Sequence, residues 1–293
     1  MSPRLRTVPS LAGRVAAAAT LLAVAAGPLA AGTLDKMRSS GEIVLGYRSA
    51  SPPFSSSDGK GPPVGFSIDL CQRVVAEAQR AAGLDRLAVR YVAVTPEDRV
   101  QKLASGEIDI ECGSTTRTLG RQAQVDFTLL TFVTGTELLV KVGSRIDGVA
   151  DLAKKKIAVL PGTTTERVVQ NLLAQLRIGT ETIAVKDHDD GLRALEEGRA
   201  DAYASDEIIL IGLAKGAKDP AQFRLTGNLY SYEPYALMVR RDDADFRLAA
   251  DRALAGVYRS GEIGGLYERW FGKWRSQPSP ILLTLYRVQS LPD

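Results

Sequence analysis

Residues 109–127, DIECGSTTRTLGRQAQVDF, begin as a buried-looking strand and then change into small hydroxylated residues. Ser114, Thr115 and Thr116 lie at the end of this strand, and Arg121 lies five residues beyond Thr116. Hydroxyls and backbone N–H groups suit the polar head of a small ligand, and a guanidinium offers two parallel donors to a carboxylate. The segment therefore predicts a binding site for a small zwitterion.

Two further segments carry groups that could meet such a ligand. Residues 161–166, PGTTTE, precede a predicted helix, whose positive end and hydroxyls form a natural seat for a carboxylate. Ordinary N-capping by Thr164 or Thr165 is the simpler interpretation of that motif. Residues 204–207, ASDE, place Asp206 where it can pair with an ammonium group or cap the following helix. Taken alone, the second motif also favours a cap.

Several kinds of catalytic site have no motif in this sequence. It contains no Gly-rich phosphate loop, no Cys/His metal spacing and no Gly-x-Ser-x-Gly elbow. His188 is the single histidine of the chain, so a Ser-His or Cys-His nucleophile would have to use that residue. We therefore predict a binding protein that has no catalytic residue, no metal site and no cofactor.

The elements that position these groups alternate between strands and helices, which favours an α/β fold. Residues 42–48 and 155–160 predict strands, and residues 67–82 predict a helix because their apolar side chains recur at helical spacing. A helix is predicted over residues 95–105, with Thr95 as its N-cap and proline at its first position. A strand over residues 107–112 follows it.

The second half of the chain repeats the plan of the first. A Leu is followed three residues later by Gly and three residues later again by Asp, in copies that begin at Leu103 and Leu195. Both copies end a predicted helix and open a strand, so we predict two similar lobes with ligand loops at the carboxyl ends of their strands. Residues 131–140 and 234–241 predict paired connecting strands, and two thin crossings permit a hinge.

Residues 1–31 have the pattern of a secretory signal peptide. They carry three arginines and no acid, then an apolar run at 15–26 that is shorter than the about 20 residues of a membrane span. Small residues at 30–32 suit cleavage, and the first cysteine, Cys71, is too distant to anchor a lipid. We predict export to the periplasm as an unanchored protein.

Removal of that segment changes the charge balance. The 37 Lys and Arg residues lose three members, and the remaining 34 equal the 34 Asp and Glu residues. A formally neutral chain has no excess of positive charge with which to bind nucleic acid. Its length of about 260 residues is enough for two domains. In an oxidising compartment Cys71 and Cys112 can form a disulfide or remain two buried thiols, and the sequence leaves both options open.

The order of these motifs resembles the polar amino acid-binding proteins of ABC importers, and among them the glutamate/aspartate binders. The resemblance covers essentially the whole mature chain, and its most specific pieces are ECGSTT and VKDHDDGLRALEEGRA. It implies a two-lobed periplasmic binding protein fold of type II, in which two strand crossovers form a hinge. Lobe 1 would comprise residues 33–132 and 237–293, and lobe 2 residues 133–236.

The resemblance also implies which residues hold the ligand's amino acid moiety. Ser114, Thr116 and Arg121 match the positions that hold the α-amino and α-carboxylate groups. Thr163 and Thr164 match the carboxylate donors of the opposing lobe. These implied roles agree with the zwitterion site predicted above from the residue types.

Four more positions complete the implied site. Asp206 matches the acceptor of the α-ammonium, and Arg48, Arg99 and His188 match positions that receive the side-chain carboxylate of an acidic ligand. With Arg121, the site would offer three cations against one anion, which suits a dicarboxylic amino acid. A basic ligand would face Arg48 in a water-poor cleft, where like charges repel strongly.

Two other positions refine this expectation. Pro96 stands where the acidic binders have a serine, so one donor is lost and the choice between glutamate and aspartate stays open. Phe54 is expected to pack at the pocket mouth.

The resemblance therefore implies a monomeric periplasmic solute-binding protein, not an enzyme, that captures L-glutamate or L-aspartate by lobe closure. It would deliver the ligand to the membrane permease of an ABC transporter. The alternative is an enzyme on the same fold, of the periplasmic cyclohexadienyl dehydratase type. Such an enzyme needs a general acid or base in the cleft, for which Glu111 or Glu207 can be considered.

Overall fold

The computed structural model describes residues 32–274 and 277–292. The predicted signal segment at residues 1–31 lies outside these ranges. The described chain is a mixed α/β structure with two five-stranded sheets and a short hairpin. The strands are β1 (Glu42–Tyr47), β2 (Ala50–Ser51), β3 (Ser55–Ser56), β4 (Ala88–Ala93), β5 (Ile110–Glu111), β6 (Val125–Thr134), β7 (Thr136–Lys141), β8 (Lys156–Val159), β9 (Glu181–Ala184), β10 (Ala202–Asp206), β11 (Phe223–Leu225) and β12 (Glu233–Arg240).

The helices lie between these strands and at the carboxyl end of the described chain. They are α1 (Thr33–Ser40), α2 (Phe66–Ala81), α3 (Arg99–Ala104), α4 (Leu119–Gln122), α5 (Thr164–Gln175), α6 (His188–Glu196), α7 (Glu207–Gly216), α8 (Ala244–Arg259), α9 (Glu262–Phe271) and α10 (Pro280–Val288), with single 3₁₀ turns at Val149–Leu152 and Pro220–Gln222. Within residues 32–274 and 277–292, no helix combines the length and apolarity that a membrane crossing needs.

The first sheet has the strand order β4-β1-β5-β12-β6. β1 runs parallel to β4 and β5, whereas β12 runs antiparallel to β5 and β6. Ile43, Val44 and Leu45 of β1 are fully buried because helices cover both faces of the sheet. Ile43 and Leu45 belong to the core with α2 and α8, and Val44 packs with Leu103 of α3 on the other face. A continuous apolar run is typical of such a strand.

The second sheet has the order β11-β7-β10-β8-β9. β8 is parallel to β9 and β10, and β7 is antiparallel to β10 and β11. Side chains of one face pack on α5 through Val169, and those of the other face pack on α6 and α7 through Leu195 and Ile209. Each sheet and the helices packed on it form one layer. The two layers thus repeat one plan, as the internal echo predicts, and each presents loops at the carboxyl ends of parallel strands.

The chain crosses between the sheets at two places. The first crossing is a single residue, Gly135, which divides the predicted strand at 131–140 into β6 and β7. A Cβ at Gly135 would lie 2.3 Å from the carbonyl oxygen of Ser231, so the close approach of the second crossing requires glycine here. The second crossing runs through residues 226–232. The predicted pairing of the connecting strands is confirmed, because Thr134 of β6 lies opposite Glu233 of β12.

Two predicted elements are shorter than the sequence indicates. The helix predicted from Thr95 begins at Arg99, because Thr95 and Asp98 exchange side chain to backbone hydrogen bonds and form a separate turn. The strand predicted over residues 107–112 pairs only at β5. Asp109 turns its carboxylate to the N–H of Val44, 2.9 Å away, and to the ammonium of Lys36. A side chain thus replaces ladder bonds at the start of the strand.

Helix α10 has no counterpart in the sequence analysis, and it covers the edge of the first sheet at β6. The hydroxyl of Tyr286 donates to the carbonyl of Thr131 at 3.0 Å. The Gln289 amide accepts from the N–H of Leu130 at 2.7 Å and donates to its carbonyl at 2.8 Å. These bonds satisfy an edge that could otherwise pair with another chain.

A cluster of aromatic side chains packs on the first sheet. Phe54 is fully buried, with its ring centroid 5.1 Å from those of Phe132 and Tyr235, so the expected position at the pocket mouth is wrong. Packing against other aromatic rings stabilises this apolar side chain more than a solvent-exposed position at the pocket mouth would. Trp274, which follows α9, lies against α7 of the second layer. A Cβ at Gly212 of α7 would lie 3.2 Å from Cζ3 of Trp274.

Cys71 and Cys112 form a disulfide with an S–S distance of 2.07 Å, which decides between the two options that the sequence leaves open. Cys71 lies on α2, and Cys112 directly follows β5. Ser67, also on α2, donates its hydroxyl proton to the carbonyl of Gly113 at 2.7 Å. Helix α2 therefore holds the start of the hydroxyl-rich loop through one covalent bond and one hydrogen bond.

We predict that the double substitution Cys71→Ser and Cys112→Ser lowers the free energy of unfolding by roughly 4 kcal/mol. The bridge spans 41 residues, and the estimate follows from the loop-closure entropy that it removes from the unfolded chain. Urea unfolding of both proteins, with and without reductant, measures the effect. Reductant should lower the midpoint of the wild type and leave the double variant unchanged. Equal midpoints for the oxidised wild type and the variant would contradict the prediction.

Candidate functional site

The predicted ligand residues follow the carboxyl ends of β1, β4, β5, β8 and β9 or, in the case of Asp206, end β10 itself. Eight of the nine predicted residues line one enclosed cavity between the two layers, and Thr165 and Ser205 line it with them. The eight are Arg48, Arg99, Ser114, Thr116, Thr163, Thr164, His188 and Asp206. The ninth, Arg121, lines a wider adjoining pocket that also reaches Thr163. Residues far apart in the sequence thus converge at one place.

The cavity is small. Its volume is about 20 Å³, whereas the adjoining pocket at the mouth measures about 390 Å³. A cavity of 20 Å³ has room for about one water molecule. In this conformation the cavity is therefore too small for an amino acid, and the residues around it must move before one can bind.

One end of the cavity holds two guanidinium groups, Arg48 and Arg99, each at most 5% exposed. Nη1 of Arg99 donates to the hydroxyl of Thr115 at 2.6 Å, and that hydroxyl donates to Oε2 of Glu111 at 2.7 Å. Burial and the neighbouring Arg99 together lower the pKa of Arg48 to about 10, although the carboxylate of Glu111 opposes the shift. Both guanidinium groups remain charged at neutral pH, in a place where charge is costly.

Glu111 is the counter-ion that the sequence analysis missed at this end. It is fully buried at the end of β5, and its negative charge opposes the lowering of the pKa of both Arg48 and Arg99. A Cβ at Gly113 would lie 2.1 Å from Oε1 of Glu111, so only glycine leaves room for this carboxylate. Nε of Arg99 and Oε1 of Glu111 have no hydrogen-bond partner among the residues described. Buried polar atoms of this kind mark a place where a ligand or water can bind.

His188 is the first residue of α6 and lies against the same end of the cavity. Its Nδ1 is 2.7 Å from the hydroxyl of Tyr203. Burial lowers the pKa of His188 to about 3, with Arg48 and Arg99 as further causes. The imidazole is therefore neutral at neutral pH. Gly191 lets α6 approach, since a Cβ there would lie 2.4 Å from the Tyr203 ring.

Asp206, at the end of β10, also lines the cavity. Its carboxylate accepts from the hydroxyls of Tyr235 and Thr165, and it makes no capping bond to α7. The interpretation of Asp206 as a helix cap is therefore wrong. Burial raises the pKa of Asp206 to about 7, and the nearby carboxylate of Glu233 contributes.

The cap of α5 is Thr163, not Thr164 or Thr165. Its hydroxyl accepts from the N–H of Glu166 at 3.1 Å and donates to the carbonyl of Leu160 at 2.7 Å. The hydroxyl of Thr163 is therefore used within its own loop. The hydroxyls of Thr164 and Thr165 instead point to carboxylates in the cavity.

Glu233 is a second carboxylate that the sequence analysis missed. It begins β12, is 2% exposed, and accepts from the hydroxyls of Thr116 at 2.6 Å and Thr164 at 2.7 Å. An acid at the head of an otherwise apolar strand, EPYALMV, was the available signal.

The two missed carboxylates change the charge count of the site. Three guanidinium groups face three carboxylates, and the predicted excess of cations over anions is wrong for the site as a whole. The carboxylates are Glu111, Asp206 and Glu233.

Arg121 and Ser114 complete the predicted set. Nη1 of Arg121 donates to the carbonyl of Thr116 at 2.7 Å, and Nη2 lies 3.4 Å from the carbonyl of Gly162 across the cleft. Burial lowers the pKa of Arg121 to about 9, with Arg99 as the next cause. Oγ of Ser114 lies 2.9 Å from Oγ of Ser51. Arg121 thus links the two layers at the mouth rather than inside the cavity.

The site has the chemistry of a receptor for a small ion of mixed charge. Guanidinium groups, a neutral imidazole, a carboxylate and several hydroxyls line one cavity. Among residues 32–274 and 277–292, no group of three or more His, Cys, Asp or Glu side chains is arranged to hold a metal ion.

Comparison with known proteins places this chain among binding proteins. It is 39% identical over 94% of its length to an L-glutamate/L-aspartate-binding protein of Pseudomonas aeruginosa, of which it covers 90%. It is 38% identical over 87% of its length to a glutamate/aspartate import solute-binding protein of Escherichia coli, of which it covers 83%. These relatives are named as binding proteins, which supports the expectation that the chain is not an enzyme.

A solved structure gives the same picture of the fold. An ancestral arginine-binding protein bound to glutamine matches with a TM-score of 0.70 and 29% identity, over 79% of this chain and 98% of that one. This similarity confirms the predicted two-lobed, type II periplasmic binding protein fold. Residues 43–273 match the family model of the bacterial extracellular solute-binding proteins, family 3. The chain belongs to this family.

Proposed function

We propose that this protein captures L-glutamate or L-aspartate in the enclosed cavity and delivers it to the membrane permease of an ABC importer. The observation that carries this proposal is the convergence of Arg48, Arg99, a neutral His188 and Asp206 on one buried cavity. Relatives at 38–39% identity are named for the same pair of amino acids, which supports the choice of ligand.

The side-chain carboxylate of the ligand would bind at the cationic end of the cavity. Arg48 and Arg99 supply charged donors, and Nε of Arg99 is without a hydrogen-bond partner among the described residues. Neutral His188 can donate a further hydrogen bond without adding charge. Glu111 already offsets part of the cationic charge, so the position of the donors, rather than a net excess of cations, favours an acidic side chain.

The amino acid moiety would bind between the two loops at the other end. Arg121 and the amino end of α5 at Thr164 suit the α-carboxylate, because guanidinium and helix N–H groups are strong donors to anions. Thr163 would contribute through its backbone. Asp206 suits the α-ammonium together with Ser114 and Thr116.

Binding requires the layers to open and close. We propose residues 33–132 with 237–293 as one lobe and 133–236 as the other, with the hinge at the two crossings, Gly135 and residues 226–232. Contacts from both lobes form only in the closed state, so a ligand that makes them shifts the population toward closure. The closed monomer would be the form that the permease recognises. The proposed location is the periplasm, after removal of residues 1–31.

A dehydratase on the same fold receives no support from the site. Glu111, considered as its general acid, accepts a hydrogen bond from Thr115 and lies against Arg48 and Arg99.

We predict that Arg48→Ala weakens L-glutamate binding by roughly 30-fold or more and L-glutamine binding by much less. Removal of one partner of a buried charged pair costs at least about 2 kcal/mol, and only glutamate has a second carboxylate. Arg121→Ala should weaken both ligands alike. Calorimetry with the two amino acids measures these effects, and Arg117→Ala, an exposed arginine on the same loop, is the matched control. Equal losses for both ligands in Arg48→Ala would contradict the assignment.

We also predict that the His188 imidazole does not titrate between pH 5 and pH 8 in the free protein, because its pKa is about 3. Bound glutamate should raise that pKa, since a second carboxylate stabilises the imidazolium. His188 is the only histidine, so NMR of protein made without a histidine tag reports it alone. A midpoint near 6.5 in the free protein would contradict the burial, and an unchanged pKa on binding would contradict the carboxylate contact.

The same shift has a consequence for stability. The unfolded chain takes up a proton on His188 below about pH 6.5, and the folded chain does not do so until about pH 3. Between those values His188 therefore makes the free energy of unfolding fall as the pH falls, by up to about 1.4 kcal/mol per pH unit. His188→Gln should remove this slope in urea unfolding measured at a series of pH values.

A further inference from the structure

Glu233 joins the two loops that enclose the ligand cavity. Its Oε2 accepts from the Thr116 hydroxyl at 2.6 Å and from the Thr164 hydroxyl at 2.7 Å. Its Oε1 accepts from the hydroxyl of Ser231 at 2.6 Å. The carboxylate is 2% exposed, and none of the proposed ligand contacts assigns it a role.

The hydrogen bonds to Glu233 decide what the two threonine hydroxyls can offer a ligand. A hydroxyl has one proton to donate and two lone pairs to accept with. When that proton is given to a carboxylate, only lone pairs remain on the side of the cavity. Oγ1 of Thr116 and Oγ1 of Thr164 lie 3.2 Å apart, and Glu233 accepts from both, so neither proton is left for the other hydroxyl.

The negative charge near these hydroxyls also favours a cationic group of the ligand. Asp206 lies in the same cavity, and the carboxylate of Glu233 is the second cause of its raised pKa, after burial. A cation placed near two carboxylates that repel each other stabilises the charged form of both. Hydroxyl lone pairs and paired carboxylates suit an ammonium group, which has three donors and no acceptor.

From this geometry we infer that Glu233 is the positioning residue of the ammonium subsite. It accepts the protons of Thr116 and Thr164, turns both hydroxyls into acceptors toward the cavity, and thereby selects ligands that carry an ammonium group. The inference rests on the proposed function and deepens it, because it names the group that separates an amino acid from a plain dicarboxylate. Thr116 and Thr164 then meet the ligand's ammonium through their hydroxyls, and only their backbone N–H groups meet its carboxylate.

The experiment compares L-glutamate with glutarate, which has the same carbon chain and both carboxylates but no ammonium. In the wild type, calorimetry should give a strong preference for glutamate. Glu233→Gln should weaken glutamate binding by about tenfold or more, because the amide carries no charge, and its NH₂ group must replace either the oxygen that accepts from Ser231 or the oxygen that accepts from both threonines. Glutarate binding should stay the same or tighten. The ratio of the glutamate affinity to the glutarate affinity should therefore fall by at least about tenfold.

A matched control is Glu137→Gln. Glu137 is a buried carboxylate of β7 that accepts from the backbone N–H of Gly227 and does not line the cavity. This variant should keep the wild-type preference. Thermal unfolding of each variant establishes that the protein measured is folded.

A double-mutant cycle tests whether Glu233 acts through the hydroxyls. In Thr164→Val the proton that Glu233 accepts is absent, so adding Glu233→Gln should weaken glutamate binding by less than it does in the wild type. Should Glu233→Gln fail to fold, Thr116→Val and Thr164→Val provide the same readout, since each should lower glutamate binding more than glutarate binding.

The outcomes separate the inference from the proposed function. A wild-type protein that binds neither glutamate nor aspartate would overturn the proposed function. A wild-type protein that binds glutamate, with Glu233→Gln lowering glutamate and glutarate binding by the same factor, would overturn the inference alone. Additive losses in the cycle would also overturn it.

Discussion

The structure around the cavity depends on the cost of burying charge. Arg48, Arg99 and Glu111 lie almost without solvent, and an ion moved from water into such a place loses several kcal/mol unless partners compensate it. The carboxylate of Glu111 opposes the lowered pKa of both arginines, and the hydroxyl of Thr115 links it to Arg99. Glu111 therefore offsets part of the cationic charge before any ligand enters.

The need to hold these buried charged groups in place constrains the conformation of the loops around them. Gly113 must lack a side chain because Glu111 occupies the space, and the adjacent Cys112 is tied to α2. His188 is held by Tyr203 and kept neutral by the cations nearby. The cavity presents donors and acceptors in fixed positions, which is what selective binding requires.

Most of the fold could be predicted from local patterns. Continuous apolar runs indicated β1 and β8, and the repeated Leu, Gly and Asp spacing indicated two similar layers. Boundaries were less certain where side chains compete with the backbone, as at Thr95 with Asp98 and at Asp109. Helix α10 had to be seen in three dimensions, because its role is to cover an edge strand that is distant in the sequence.

The site was predictable where residue type and loop position agree. Eight predicted residues line the cavity because loops at the carboxyl ends of parallel strands converge. Glu111 and Glu233 were missed as parts of the binding site for a physical reason. A carboxylate inside or at the head of an apolar strand has no local partner, and its function becomes visible only when Arg48 or Thr116 approaches from another part of the chain.

Trp274 gives the molecule an internal optical reporter. Its ring lies against α7 of the second layer, whereas Trp270, the other tryptophan, donates its indole N–H to Asp69 within the first layer. Separation of the layers would expose one indole to water and leave the surroundings of the other unchanged. The intrinsic fluorescence of the unlabelled protein can therefore follow opening and closing, with the second tryptophan as an internal reference.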